Sequence, residues 1–135
     1  MAKVRALLEF IAKLTAYLDG VVERGYDLSN WDDLMRILHA LQLQAQALID
    51  MAQRAASLLG EPAQTYMEAG EALRRHGVLD PQDLTLYRSV VGFRNVVVHG
   101  YVSLDTAKVE EVLRKRLYRR ILELAEKINA HLPDP

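Results

Sequence analysis

Between residues 34 and 59 an apolar or small side chain returns every three or four positions without a gap: Leu34, Leu38, Leu41, Ala45, Leu48, Ala52, Ala55 and Leu59. Only an α-helix puts such a series on one face. Steps of four and three average to a period of 3.5, which belongs to helices packed nearly antiparallel at about 20°. The alanines in this stripe let a neighbouring helix come close. The same steps run through Val4, Leu8, Ile11, Thr15, Leu18 and Val22, and a further helical stripe joins Val109, Val112, Leu113, Leu117, Ile121, Leu124 and Ile128. No segment alternates as a strand would, so the sequence predicts an all-α fold.

Helix ends are marked by residues with a mechanical reason to be there. Gly25 stands where the first helix should stop, and Ser29 or Asn30 is a good N-cap for the second, which runs to Gly60. After the linker EPAQ a third helix is expected from about Tyr66 to His76, stopped by Gly77. Asp80-Pro81-Gln82-Asp83 reads as an N-cap, a proline at the first helical position and an acid in the first turn. The fourth helix then spans Pro81 to about His99 and ends at Gly100, and Asp105 caps a fifth that continues almost to the terminal LPDP. The expected architecture is a single-domain up-down bundle of about five helices over residues 1–135.

With no cysteine in the chain, a disulfide framework, cysteine-ligated zinc and thiol catalysis are excluded. Glutamines 42, 44 and 46 interrupt the longest uncharged run, Ile37 to Ile49, which is too short to span a bilayer. The amino terminus carries Glu9 and Lys13 inside its apolar stretch, unlike a secretion signal. A cytoplasmic protein with no membrane contact is expected. Seventeen basic and eighteen acidic residues leave a net charge of -1, so any nucleic-acid site must be a local patch or come from a partner.

The expected fourth helix carries more than packing. Projected at 100° per residue it shows an apolar stripe, Leu86, Val90, Phe93 and Val97, assigned to the core, and a second stripe of Tyr87, Val91, Arg94 and Val98. The third stripe is Arg88, Gly92, Asn95 and His99, which is neither core nor ordinary surface, and these polar residues are expected to line a cleft. Glycine inside a helix costs about 1 kcal/mol against alanine, so Gly92 points to close approach by another backbone or a ligand, or only to a neighbouring helix. Arg94 should reach round towards the last turn, where His99 sits beside the end released by Gly100 and where the Tyr101 hydroxyl is free to lie near the imidazole.

Arg94-Asn95-Val96-Val97-Val98-His99-Gly100-Tyr101, preceded by Val91-Gly92-Phe93, resembles the R-x4-H-x-Y motif of the HepT family, a branch of the HEPN superfamily. The likeness extends over the chain in length and helix order. It implies a metal-independent endoribonuclease with no cofactor, the toxin of a type VII-like toxin–antitoxin pair. Its implied partner is an MntA-type minimal nucleotidyltransferase that modifies the motif tyrosine, here Tyr101, with AMP. Relatives have also been described as catalytically silent binding subunits of nucleotidyltransferases, and that is the alternative.

The residues suit such chemistry. RNA carries its own nucleophile, the ribose 2'-hydroxyl, so cleavage needs a base, a positive group at the phosphate and an acid for the leaving oxygen. The His99 imidazole can serve as base or acid near neutral pH. Arg94 offers a planar fork of donors to phosphate oxygens, and Asn95 can orient the imidazole or bind phosphate. No carboxylate cluster accompanies them, which disfavours a metal mechanism. One histidine does not easily work on both sides of a phosphorus, so a homodimer with two fourth helices face to face is expected, with a higher hetero-oligomer possible once the partner binds. Arg74, Arg75, Arg88 and the basic run RKRLYRR could add positive charge, although most of that run is expected to pair with Glu110, Glu111 and Glu123.

Overall fold

The computed structural model describes residues 2–134, and for Tyr101 the backbone alone. Its helices are α1 (Val4–Arg24), α2 (Trp31–Leu58), α3 (Tyr66–Arg75), α4 (Pro81–His99), α5 (Thr106–Arg114) and α6 (Arg119–His131), with a single 3-10 turn at Tyr101–Ser103. The all-α fold is as expected, with six helices among the described residues in place of five. None of them is long and apolar enough to cross a membrane.

The long α2 is the central pillar and packs against α1, α3, α4 and α6. Its stripe is buried from Leu38 to Ala55, and Ile37, Ala40, Gln44, Ala47, Ile49, Met51 and Ala56 are buried beside it, as a helix with neighbours on several sides requires. In α1 Leu7 and Val21 are buried in place of Leu8 and Val22, because the helix is wedged between α2 and α6 and turns the space between two adjacent stripes inward. Asn30 caps α2 by accepting from the Asp33 amide at 3.0 Å. At the start of α4, Asp80 and Asp83 form a reciprocal capping box.

The extra helix comes from a break in the predicted fifth. Two earlier helices end in Schellman stops with glycine in the left-handed region: Gly60 at φ 78° and Gly77 at φ 75°. In the second, the Val78 amide donates to the Leu73 carbonyl at 2.9 Å and that of Gly77 to Arg74 at 3.1 Å. After α5 the same pattern recurs, Leu117 to Val112 at 2.9 Å and Arg116 to Leu113 at 3.1 Å, but the left-handed position is Arg116 at φ 52°. A side chain there costs about 1–2 kcal/mol. Asp19 of α1 offsets it, accepting from Arg116 at 3.1 Å, Arg119 at 2.9 Å and the Tyr118 hydroxyl. Tyr118 is thereby drawn into the interior, where Gln44 donates to its carbonyl at 3.1 Å. Burial, with Asp19 beside it, pushes the Tyr118 hydroxyl up to about 12.

Candidate functional site

The four residues of the third stripe, Arg88, Gly92, Asn95 and His99, are all exposed along one side of α4. The inward side is centred on Tyr87, Val90, Val91 and Val97. Leu86 and Phe93, expected in the core, are only half buried. They face a groove of about 740 Å³ that opens between α4 and the α5–α6 corner, where Val96, Leu104, Val112 and Leu117 complete its apolar walls. Gly92 lies on its rim, whereas Arg88, Asn95 and His99 do not line it and stand on the open surface beside it. The groove separates α4 from α5 and α6 because α4 leans on α2 and α3 instead.

That lean has a local cause. A Cβ built at Gly70 would lie 2.5 Å from the Tyr87 ring, so only glycine lets α3 close on α4. Tyr87 is fully buried, and its hydroxyl donates to the Tyr66 carbonyl at 2.8 Å. Burial drives the Tyr87 hydroxyl far above its ordinary pKa, with the nearby Tyr66 and Asp50 adding to the shift. At Gly92, by contrast, a Cβ would meet nothing within 4 Å, so no neighbouring helix of this chain requires the glycine.

Arg94 does not bond towards the last turn of α4. Its Nε donates to Gln46 Oε1 at 2.8 Å, its Nη1 to Asn95 Oδ1 at 3.1 Å, and its Cζ lies 5.4 Å from the centre of the Tyr66 ring. Both hydrogen-bond partners are neutral, and among the described residues no carboxylate forms an ion pair with it. Arg94 as a residue is half buried. Asn95, with its oxygen turned to Arg94, has no partner for its amino group among the described residues, one turn before His99 on the same stripe. Gln46 and Tyr66 were not singled out from the sequence. The signal available was three glutamines, at 42, 44 and 46, on a helix whose inward residues are otherwise apolar.

Other expected contributors are otherwise engaged. Arg88 pairs with Glu71 at 3.5 Å, and Arg75 and His76 both bind Glu61. In the basic run, Lys115 pairs with Glu111 at 3.7 Å as expected, while Arg116 and Arg119 turn to Asp19, and Arg116 also to Glu23 at 4.0 Å, in place of Glu110 and Glu123. Lys108 and Arg120 line the groove. Tyr101 opens the 3-10 turn after α4, and the placement expected for its hydroxyl lies outside the described residues. Among the described residues no three His, Asp or Glu side chains group as metal ligands.

Comparison with known proteins places this arrangement. The fold matches YutE from Bacillus subtilis, a cytosolic protein of unknown function, with a TM-score of 0.79 at 13% identity over 96% of this chain and 87% of that one. It also matches a tri-AMPylated Shewanella oneidensis HEPN toxin in complex with its MNT antitoxin (TM-score 0.78, 17% identity, 91% and 96% covered). A toxin–antitoxin structure with AMP-PNP gives a TM-score of 0.74 at 16% identity, over 90% of this chain and 96% of that one. No curated protein matches in sequence. The model of the family described as ribonuclease HepT-like matches residues 7–130, and with nearly the whole length accounted for, the chain belongs to the HepT-like family of the HEPN superfamily.

Proposed function

We propose that the protein is an RNA-cleaving toxin that works without a metal, with Arg94 and His99 as its catalytic pair. The observation that carries this reading is the state of Arg94: a half-buried arginine whose guanidinium is held by two neutral groups and one ring face, with no carboxylate among the described residues paired to it. A structural arginine in that setting gains little, whereas an oriented, uncompensated cation stabilises charge that develops on a phosphate. His99, exposed on the adjoining stripe, moves the proton, and the free amino group of Asn95 contacts phosphate or the imidazole.

A two-fold dimer completes the site. Gly92 lies at the boundary between the polar stripe and the groove, so a second α4 crossing there would cover Phe93 and the half-exposed Val96 and bring both copies of His99 to one cleft. An MntA-type nucleotidyltransferase is the proposed antitoxin, and Tyr101 is its AMP acceptor. The Shewanella toxin supports this reading, being AMPylated and bound to an MNT antitoxin. AMP on Tyr101 would put a negative phosphodiester where the RNA backbone must enter.

Purified protein incubated with total RNA in EDTA is expected to cut it, and Arg94→Ala and His99→Ala are expected to abolish cutting while remaining folded. Wild-type protein inert towards every RNA would favour the silent binding subunit. Intact mass after incubation with the nucleotidyltransferase and ATP should rise by AMP units in wild type and not in Tyr101→Phe. Equal labelling of both proteins would remove Tyr101 from the scheme.

A further inference from the structure

We propose that Gln46 and Tyr66 are positioning residues for Arg94, which close the Nε edge of its guanidinium and leave the Nη edge to take a phosphate end-on. The inference rests on the ribonuclease reading above and adds the residues that aim its cation.

Arginine has five N–H donors in a planar fork. One, on Nε, goes to Gln46 Oε1, and one, on Nη1, goes to Asn95 Oδ1. The other three, one on Nη1 and two on Nη2, have no acceptor among the described residues. A phosphate can bridge two N–H groups either side-on, across Nε and Nη2, or end-on, across Nη1 and Nη2. Gln46 takes the Nε donor and so closes the first edge, while the second keeps both Nη2 donors and the one Nη1 donor that Asn95 leaves.

The Gln46 amide cannot turn freely. Its Nε2 donates to Asp50 Oδ1 at 2.8 Å, one turn further along α2. Flipping the amide would set its NH2 against the guanidinium and its oxygen against the carboxylate. Asp50 therefore selects which end of Gln46 faces Arg94, yet stays one side chain away from the cation. A glutamate at 46 would accept the same hydrogen bond but cancel the charge that the phosphate needs. Tyr66 supplies the third constraint, a ring face under the guanidinium plane, held in place by the Tyr87 bond to its own carbonyl. The Tyr66 hydroxyl has no part in this, so the ring alone should suffice.

The test uses the full chain and has two independent readouts. The first is the Arg94 Nε–H resonance in 15N NMR, slowly exchanging in wild type and expected to exchange faster, or vanish, in Gln46→Leu. An unchanged resonance overturns the proposal whether or not RNA is ever cut. The second is single-turnover RNA cleavage. Gln46→Leu and Tyr66→Leu are each expected to lower the rate at saturating RNA by about 10- to 100-fold, the scale of a misplaced reacting group, while Tyr66→Phe recovers the rate that Tyr66→Leu loses. In an Arg94→Lys background, which keeps a cation and residual cutting but has no planar fork to aim, Gln46→Leu should cost little more. Additive losses, or a fully active Gln46→Leu, overturn the positioning role. Wild-type protein that cuts no RNA overturns the ribonuclease reading instead, and the resonance then decides alone whether Gln46 holds Arg94.

Discussion

Gly70 and Gly92 are both interior helix glycines beside the same stretch of α4, and they answer to different demands. At Gly70 the missing methyl is replaced by the Tyr87 ring, and the chain is closed there. At Gly92 nothing fills the space, and the helix is bare between a polar stripe and an apolar groove. A glycine's cost to a helix is the same in either place, about 1 kcal/mol. What surrounds it differs: in the first case a residue of its own chain fills the space, in the second a Cβ would meet no described residue within 4 Å, which is the space the proposed dimer would use. The polar residues sort the same way, with Arg94 gripped on the closed side and His99 free on the open one.

The contrast is sharpest in activity. His99→Ala on the open side should lower RNA cleavage about 100- to 10,000-fold with no loss of thermal stability, since the side chain is exposed. A large fall in melting temperature would mean that His99 is structural and the division false. On the closed side Gly70→Ala must push a fully buried ring, and overpacking of this kind should destabilise by about 1–3 kcal/mol in denaturant unfolding. A neutral result would show that Tyr87 yields and the closure is loose. Gly92→Ala should have the reverse sign, gaining about 0.5–1 kcal/mol in the monomer while weakening the dimer in sedimentation at micromolar concentration. Dimerisation unchanged by this substitution would leave Gly92 without the role assigned to it. Tyr87→Phe removes the donor to the Tyr66 carbonyl and should cost about 1 kcal/mol.

The smallest effect concerns the fastening of the α5–α6 corner to α1. Arg119, then Tyr118 and Arg116, hold the Asp19 carboxyl below the usual carboxylate range against the opposing effect of its burial. A lowered folded pKa means stability that is fully present above the unfolded value of about 3.9 and is lost as pH falls through the folded one. Wild type should therefore lose more melting temperature between about pH 6 and about pH 3 than Asp19→Asn does. Equal acid sensitivity would show that this carboxylate does not fasten the α5–α6 corner.

Much of the bundle was legible because its signals are local. A 3.5-residue period, an Asp-Pro-x-Asp start and glycines at 60 and 77 each act within a few residues, and the helices begin and end accordingly. The break after α5 was hidden because its left-handed residue is an arginine, stabilised by Asp19 at the far end of the sequence. In the site, the sequence placed Arg94, Asn95 and His99 on neighbouring stripes of one helix, which the structure keeps. It could not show that Arg94 would turn to Gln46 and Tyr66, since those partners are 48 residues away along one helix and at the mouth of another. The cleft expected beside Asn95 and His99 was inferred from one helix, whereas the groove that exists is made by α4 standing off from α5 and α6.

Gly70 has a reach beyond its own contact. Its bare backbone seats Tyr87, Tyr87 pins the Tyr66 carbonyl, and the Tyr66 ring sets the height of the Arg94 guanidinium. These links run in series, each rigid because each is buried or bonded, so an ångström introduced at one end has no soft place in which to dissipate. In the proposed mechanism the working tolerance of the cation is thus fixed on α3, a helix with no motif residue on it. A change of one methyl there should detune Arg94 before it unfolds the chain.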